Sequence, residues 1–277
     1  MALPLSKLFV RAPVVPVVRL TGIIGADGTP FRPGLSLARV EAPLEAAFSM
    51  KKAAAVAVVI NSPGGSPVQS RLIHDRIRQL ADRHGRKVLV FCEDVAASGG
   101  YMIAVAGDEI FVDAASVVGS IGVISQGFGL KGLIDRLGIE RRVHTAGTRK
   151  AILDPFSPER PEDVAHLEAL QAEIHAGFIA LVRERRGSRL AEDPDLFSGL
   201  FWTGARAISL GLADGIGYPR AVLEERYGKD VVLKPVGPRK RGFLRLGLGA
   251  RAHDPAELTA GVLSALEARG WWSRHGL

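Results

Sequence analysis

A serine in this sequence has the surroundings that a reactive hydroxyl needs. Ser98 stands between Ala96-Ala97 and Gly99-Gly100, and none of these neighbours is large enough to cover its side chain. An apolar, strand-like run precedes it, so Ser98 is predicted at the carboxyl end of a strand, where sites form in parallel α/β sheets. The structural alternative is a helix N-cap, because serine accepts hydrogen bonds from first-turn amides.

A nucleophilic serine needs a base, and Lys150 in GTRKA is the candidate. No Ser/His/Asp set stands out, and three histidines are predicted to be surface residues: His144, His166 and His175. A lysine has an ordinary pKa of about 10.4, so burial or positive neighbours must lower it before the amine acts as a base. A solvated loop cation is the structural alternative for Lys150.

Two further groups could assist this pair. Ser120 in VVGSIGV could orient the lysine amine, and Gly65 in SPGG could point its backbone amide at a ligand. If the strands that precede Gly65 and Ser98 are neighbours, the glycine amides and the hydroxyl share one edge of the sheet. That arrangement is a nucleophile beside an oxyanion hole, whereas a plain strand-to-helix turn is the alternative for SPGG.

The elements that must position these residues alternate between strands and helices. Apolar or β-branched runs predict strands at 14–24, 55–61, 87–92, 109–113, 122–125, 141–145 and in VVLKP. Helical spacing predicts helices at 37–50, 70–82, from Ser98 onward, 161–186, and once more after Tyr218. Strands that are apolar throughout indicate an α/β fold, with a parallel sheet layered with helices.

Composition is typical of a globular protein, with 47% hydrophobic and 23% charged residues in 277. Cys92 is the single cysteine, so no intramolecular disulfide can form, and its apolar context predicts a small core residue. No apolar run approaches the roughly 18 residues of a membrane-spanning helix. The N-terminus is a poor signal peptide, so a cytoplasmic protein, with peripheral contact at the inner membrane left open, is expected.

The net charge of +7 is concentrated in part near the C-terminus. The sequence predicts a core domain at residues 1–236 and a basic linker and tail at 237–277. Basic and apolar residues alternate there, and Trp271-Trp272 follow, so residues 239–272 could lie on an anionic membrane. A solvated extension is the alternative, and nucleic acid is not predicted because few aromatic residues accompany the bases.

A glycine-rich stretch, GFGLKG at residues 127–132, fits the dinucleotide-binding pattern. A nucleotide site of that kind needs an acidic residue at the end of the next strand. The predicted strand 141–145 ends in Thr145 instead. No nucleotide, metal or other cofactor is therefore predicted.

Five motifs resemble those of the SppA-type signal peptide peptidases, which are serine–lysine proteases with a ClpP-like or crotonase-like fold. The motifs are NSPGG, AASGGY, VVGSIGV, GTRKAILDPF and FWTGARAISLGLADGIG, and they occur in the family's order within residues 15–227. The resemblance implies an endopeptidase that acts through an acyl-enzyme. Its implied substrates are membrane-derived or unfolded peptides, including signal-peptide remnants.

The resemblance also implies a role for each site residue. Ser98 is the nucleophile, Lys150 the general base, and Ser120 the serine that holds the lysine. The amides of Gly65 and Gly99 form the oxyanion hole. Single-length relatives form rings in which neighbouring subunits complete each active site, so a homo-oligomer is expected, with a monomeric dyad as the alternative.

The sequence also departs from the family pattern. Many members begin with a membrane anchor, which this sequence is expected to lack, and Arg149 stands where an aromatic or small residue is common. Two other functions stay open. A crotonase-like acyl-CoA enzyme would share the fold but needs a glutamate near the site, which AASGG does not offer. A non-catalytic scaffold would not need Ser98, Lys150 and Ser120 together.

Overall fold

The computed structural model describes residues 12–25 and 34–237. The basic segment 239–272 and its predicted membrane contact lie outside the described residues, so the division at residue 236 stays a prediction. Within the described ranges, no helix combines the length and the apolar character that crossing a bilayer requires.

The described chain forms one eight-stranded sheet with helices packed against it. The strands are β1 (Val14–Thr21), β2 (Val56–Ser62), β3 (Val88–Ala97), β4 (Glu109–Val112), β5 (Val117–Gly119), β6 (Phe201–Thr203), β7 (Gly215–Ile216) and β8 (Val232–Val236). The helices are α1 (Leu37–Phe48), α2 (Pro67–His84), α3 (Gly99–Ala104), α4 (Lys131–Arg136), α5 (Pro161–Arg186), α6 (Gly204–Ser209) and α7 (Pro219–Tyr227).

The strand order is β6-β5-β3-β2-β1-β8, and β4 pairs with both β3 and β7. All pairs are parallel except β5 with β6, which is antiparallel. The N-terminal half of β3 pairs with β4 and its C-terminal half with β5. The predicted parallel sheet is confirmed, and β2 and β3 are neighbours, as the shared site edge required.

The core lies on both faces of the central strands. In β2, Val58 and Ile60 face the larger apolar cluster, whereas Ala57 and Val59 face a smaller one. Residues from α1, α2, α3 and α5 pack in the larger cluster, and residues of α7 pack in the smaller one. Strands buried on both faces read as continuous apolar runs, which is why their sequences predicted them correctly.

Two predicted strands are wrong. Residues 122–125 and 141–145 form no strand in the structure, and β5 at Val117–Gly119 pairs with the sheet instead. Both stretches carry β-branched residues, but their side chains are largely exposed, with Val143 47% exposed. No described strand lies beside them to accept their backbone hydrogen bonds. The apolar pattern of these residues was therefore not enough to predict a strand.

Residues 123–160, called the exposed segment here, differ from the rest of the described chain because most of their side chains face solvent. The segment contains α4 and has contacts of its own. The Leu130 N–H donates to the Pro155 carbonyl at 2.6 Å, Arg141 pairs with Asp154, and the Arg141 guanidinium stacks over the Phe156 ring. It is thus a small folded unit outside the main core.

Candidate active site

Ser98 occupies the sharp turn between β3 and α3. Its backbone has φ 52° and ψ −122°, a conformation that non-glycine residues rarely adopt. The Ser98 N–H donates to the Gly119 carbonyl at 2.8 Å, which fixes the turn to the end of β5. Ser98 stands at the N-cap position of α3, but its side chain makes no capping hydrogen bond, so the hydroxyl does not serve the helix as the N-cap alternative expects. A strained strand-to-helix turn of this kind is a common way to present a nucleophilic hydroxyl.

The SPGG loop packs against this turn so closely that only glycine fits. A Cβ at Gly64 would lie 2.8 Å from the Cβ of Ser98 and 3.0 Å from the backbone nitrogen of Gly99. A Cβ at Gly65 would lie 2.0 Å from the carbonyl oxygen of Ile24. Both glycines have positive φ, at 106° and 141°. Both positions therefore require glycine, because there is no space for a Cβ atom.

Two backbone amides beside Ser98 are available to a ligand. Hydrogen bonds from Ile24 N–H to Gly64 and from Ser66 N–H to Ile24, each 2.8 Å, hold the loop and leave the Gly65 N–H without an acceptor among the described residues. Gly99 is the first residue of α3, where an amide has no intrahelical acceptor. These amides could stabilise negative charge on an oxygen bound next to Ser98.

A cavity of about 300 Å³ opens in front of Ser98. Ser120 lies in the same cavity, so the structure brings these two predicted site residues together. Among the described residues that line it, none is acidic, and one is a histidine, His175. A second, narrow cleft on the Gly65 side of Ser98 has apolar walls that include Met102 and Phe178.

Lys150 does not line either space around Ser98. It lies in an exposed turn, and the prediction that it follows a strand is wrong, because residues 141–145 are not a strand. Neighbouring Arg149 pairs with Asp163 at 3.3 Å, which ties this turn to the start of α5. Asp163 and His175 are 12 residues apart on α5, or about 18 Å at the rise of an α-helix. Within one chain, Lys150 therefore lines neither of the two spaces described beside Ser98.

The helices that border the site are anchored at their buried ends. Arg186, at the end of α5, forms a bidentate pair with Asp214 at 2.8 and 3.0 Å. The Tyr101 hydroxyl of α3 donates to the Leu212 carbonyl at 2.8 Å, in the same loop. Both α3 and α5 are thereby fixed to the loop before β7. Because Ser98 directly precedes α3, these contacts also fix the position of Ser98.

Other candidate groups take no part in the site. Cys92 is buried in the core as predicted, and burial raises the pKa of its thiol to about 12, so it remains protonated. His144 and His166 are exposed as predicted. Among the described residues, no group of three or more His, Cys, Asp or Glu side chains could hold a metal ion.

Sequence reasoning missed His175 and assigned no separate role to Gly64. His175 was predicted at the surface, but it is half-buried, and its Nε2 lies 2.9 Å from the carbonyl oxygen of Ile121. A helical signal was present, because His175 precedes the buried residues Phe178 and Val182 by three and seven positions. This spacing places all three on one face of α5.

Two protein-family profiles match the chain. The profile of peptidase family S49 matches residues 81–231, and the Clp protease profile matches residues 38–117. Among solved structures, a mutant of the 1510-N membrane-bound stomatin-specific protease aligns with a TM-score of 0.50 over 82% of this chain and 99% of that chain. The identity is 15%, so this likeness shows the fold. It is the ClpP/crotonase-like α/β fold that the motifs implied.

Curated relatives carry two kinds of name. A protein of Brucella abortus named Na(+)/H(+) antiporter NhaA is 55% identical over 95% of this chain, but the match spans 37% of the relative's length. The chloroplastic serine protease SPPA of Arabidopsis thaliana is 30% identical over 67% of this chain and 30% of the relative. Protease 4 of Haemophilus influenzae is 31% identical over 66% and 29%. The chain thus spans about a third of the length of each relative.

Proposed function

This chain belongs to peptidase family S49, and we propose that it is a serine endopeptidase with Ser98 as nucleophile and Lys150 as general base. One observation carries the proposal. The Ser98 hydroxyl makes no hydrogen bond to another described residue, and it faces a cavity from a strained turn that the Gly64-Gly65 loop surrounds. Backbone strain lowers stability, and strained residues cluster at active sites, so a strained serine that faces a cavity supports a role as nucleophile.

The reaction divides into two steps. As the Ser98 Oγ attacks the scissile carbonyl carbon, the Lys150 amine takes the hydroxyl proton, and the carbonyl oxygen becomes an oxyanion. The amides of Gly65 and Gly99 donate to that oxyanion. When the tetrahedral intermediate collapses, the C–N bond breaks and the lysine proton passes to the leaving amine. The product of this step is an acyl-enzyme. Water then attacks the acyl carbon as the same lysine takes its proton, the ester bond to the Ser98 Oγ breaks, and the lysine returns the proton to that oxygen.

The base reaches the nucleophile from a second copy of the chain. The exposed turn that carries Lys150 supports this, because a lysine amine works as a base only in a sheltered site. The exposed segment also carries large apolar side chains in solvent, and Phe128 is 84% exposed. An apolar surface of this kind marks a protein contact. Ser120, already in the Ser98 cavity, would receive the amine of the neighbouring chain.

The substrate is an extended peptide with small apolar side chains near the scissile bond. The narrow cleft beside Ser98 has room of only about 10 Å³ between walls that include Met102, Ile174 and Phe178. Membrane-derived or unfolded peptides, including signal-peptide remnants, offer such side chains in an extended state. The described cavity lining contains no glutamate, the acid/base group that an acyl-CoA hydratase of the same fold would need.

A serine-directed fluorophosphonate and a library of unfolded peptides test the proposal. Ser98→Ala and Lys150→Ala are each expected to reduce peptide cleavage by about 10³-fold or more, because the two groups act as a unit. Lys131→Ala is the matched control, since Lys131 is an exposed lysine of the same segment that pairs with Asp135, and it should leave cleavage unchanged. All three variants should keep the thermal unfolding midpoint of the unmodified protein.

Two results would contradict the assignment. Cleavage that survives Lys150→Ala would exclude the serine–lysine pair. Label found on a residue other than Ser98, or turnover of CoA thioesters with no peptide cleavage, would exclude the endopeptidase itself.

A further inference from the structure

The Ser120 side of the cavity rests on α5 through one side chain. His175 lines the cavity, and its Nε2 lies 2.9 Å from the carbonyl oxygen of Ile121, the residue after Ser120. A carbonyl oxygen only accepts hydrogen bonds, so Nε2 carries the proton in this contact. The part of α5 around His175 is firmly placed, because Phe178 and Val182 of the same face are buried in the core.

The turn that receives this hydrogen bond is tight. Ser120 has φ 50°, which is uncommon for a residue with a side chain. Its N–H donates to the Leu200 carbonyl at 2.8 Å, and the Gly122 N–H donates back to the Ser120 carbonyl at 3.0 Å. The Ile121 side chain is fully buried, and among the described residues its carbonyl has His175 as its donor. A strained turn persists only where its surroundings fix it.

We infer that His175 is a positioning residue that holds the Ser120 hydroxyl in the Ser98 cavity through its hydrogen bond to the Ile121 carbonyl. The inference rests on the proposed function, because Ser120 matters there as the group that receives the lysine amine. In this role the imidazole keeps its Nε2 proton in the hydrogen bond to the Ile121 carbonyl. It acts on the reaction through the turn.

Three variants of α5 separate this role from a general effect on folding. His175→Leu removes the donor. His175→Gln keeps an N–H near the position of Nε2 and should restore the contact. His166→Leu is the matched control, because His166 is an exposed histidine of the same helix. Active-site titration with the fluorophosphonate counts intact Ser98 in each sample, so kcat is expressed per reactive serine.

For peptide cleavage, His175→Leu should lower kcat by about 10- to 100-fold while KM changes by less than about threefold, because displaced catalytic groups chiefly affect the chemical step. His175→Gln should recover most of the lost kcat, and His166→Leu should have no effect. A kcat for His175→Leu within about twofold of the unmodified protein would overturn the inference, as would an equal loss in His175→Gln.

Amide hydrogen exchange provides a readout that needs no catalysis. His175→Leu should speed exchange at the Ser120 and Gly122 amides by about fivefold or more, because the turn opens more often, whereas His175→Gln and His166→Leu should not. Unchanged exchange in His175→Leu would overturn the inference even if the protein cleaves no peptide. If the unmodified protein cleaves no peptide but His175→Leu still speeds exchange, the proposed function is contradicted. His175 would then still be the residue that supports this turn.

Discussion

The two residues of the proposed dyad lie in regions of opposite character. Around Ser98, Gly64, Gly65 and Gly99 pack so tightly that an added Cβ would lie within 3 Å of another atom. In the exposed segment around Lys150, Gly127, Gly129 and Gly132 have no heavy atom near enough for an added Cβ to touch. The proposed nucleophile lies within the packed sheet, and the proposed base lies on an exposed surface.

This contrast shows which parts of the site one chain can build alone. The proposed oxyanion amides and the Ser98 turn depend on backbone placed to within tenths of an ångström, which only close packing supplies. A lysine that acts as a base needs shelter from water, and the exposed segment supplies none by itself. A second copy that buries the segment would provide both the shelter and the approach to Ser98.

The largest expected effect comes from mixing two inactive proteins. Ser98→Ala keeps Lys150, and Lys150→Ala keeps Ser98. If the dyad forms between chains, subunit exchange should place intact partners together at about a quarter of the interfaces of a one-to-one mixture, and peptide cleavage should rise from none to a comparable fraction of the unmodified rate.

In the control for this experiment, a chain that carries both substitutions replaces the Lys150→Ala chain. Ser98→Ala mixed with a chain carrying both substitutions has no interface with an intact pair, so cleavage should stay absent. No recovery in the first mixture, after mass spectrometry has shown that subunits exchanged, would mean that each chain carries its own dyad. The contrast between the two regions would then lose its functional meaning.

A smaller effect is expected from adding one methyl group in each region. Gly65→Ala places a Cβ 2.0 Å from the Ile24 carbonyl oxygen at a positive φ, so the free energy of unfolding should fall by about 2–4 kcal/mol. Fluorophosphonate labelling of Ser98 should slow by about 100-fold as an oxyanion donor is displaced. Gly129→Ala, the matched change in the exposed segment, should leave the unfolding midpoint of the isolated chain unchanged. Equal stability losses at both positions would show that the regions do not differ in packing.

The same contrast explains how far the sequence could predict the structure. Strands 55–61 and 87–92 were predicted because residues buried on both faces of a sheet leave a continuous apolar pattern. The neighbouring placement of these strands is only a condition in the sequence analysis, and the structure supplies it by pairing β2 with β3. Ser98, Gly65 and Gly99 lie at that edge because close packing fixes the turn and the loop that carry them.

The exposed segment lacks such constraints, and there the prediction failed. Residues 141–145 have strand-like composition, but no described strand pairs with them, so composition alone was not informative. The position of Lys150 relative to Ser98 could not be read from a spacing of 52 residues in the sequence. His175 was missed because its one signal, the helical spacing that it shares with the buried residues Phe178 and Val182, marks a face of α5 but does not show that a cavity lies beside it.

The smallest expected effect compares one carboxylate in each region. Glu109 of β4 accepts two hydrogen bonds from Arg226, at 2.8 and 2.6 Å, and pairs with Lys87. Hydrogen bonding from Arg226 is the main cause that lowers the pKa of Glu109 from 4.5 to about 2. In the exposed segment, Arg142 also lowers the pKa of Glu140, but both of those side chains are in solvent.

Glu109→Gln should lower the free energy of unfolding at pH 7 by about 1 kcal/mol, a value reduced by the solvent around the pair. Because the pKa of Glu109 is lower in the folded state, its contribution is complete above pH 4.5 and is lost as the pH falls toward about 2. The difference between Glu109→Gln and the unmodified protein should therefore shrink below pH 4.5 in urea unfolding. Glu140→Gln should give no measurable difference at either pH, since water already screens its pair. A difference for Glu109→Gln that grows on acidification would contradict the assigned ion pair, and a loss in Glu140→Gln would show that the exposed segment is held as tightly as the sheet.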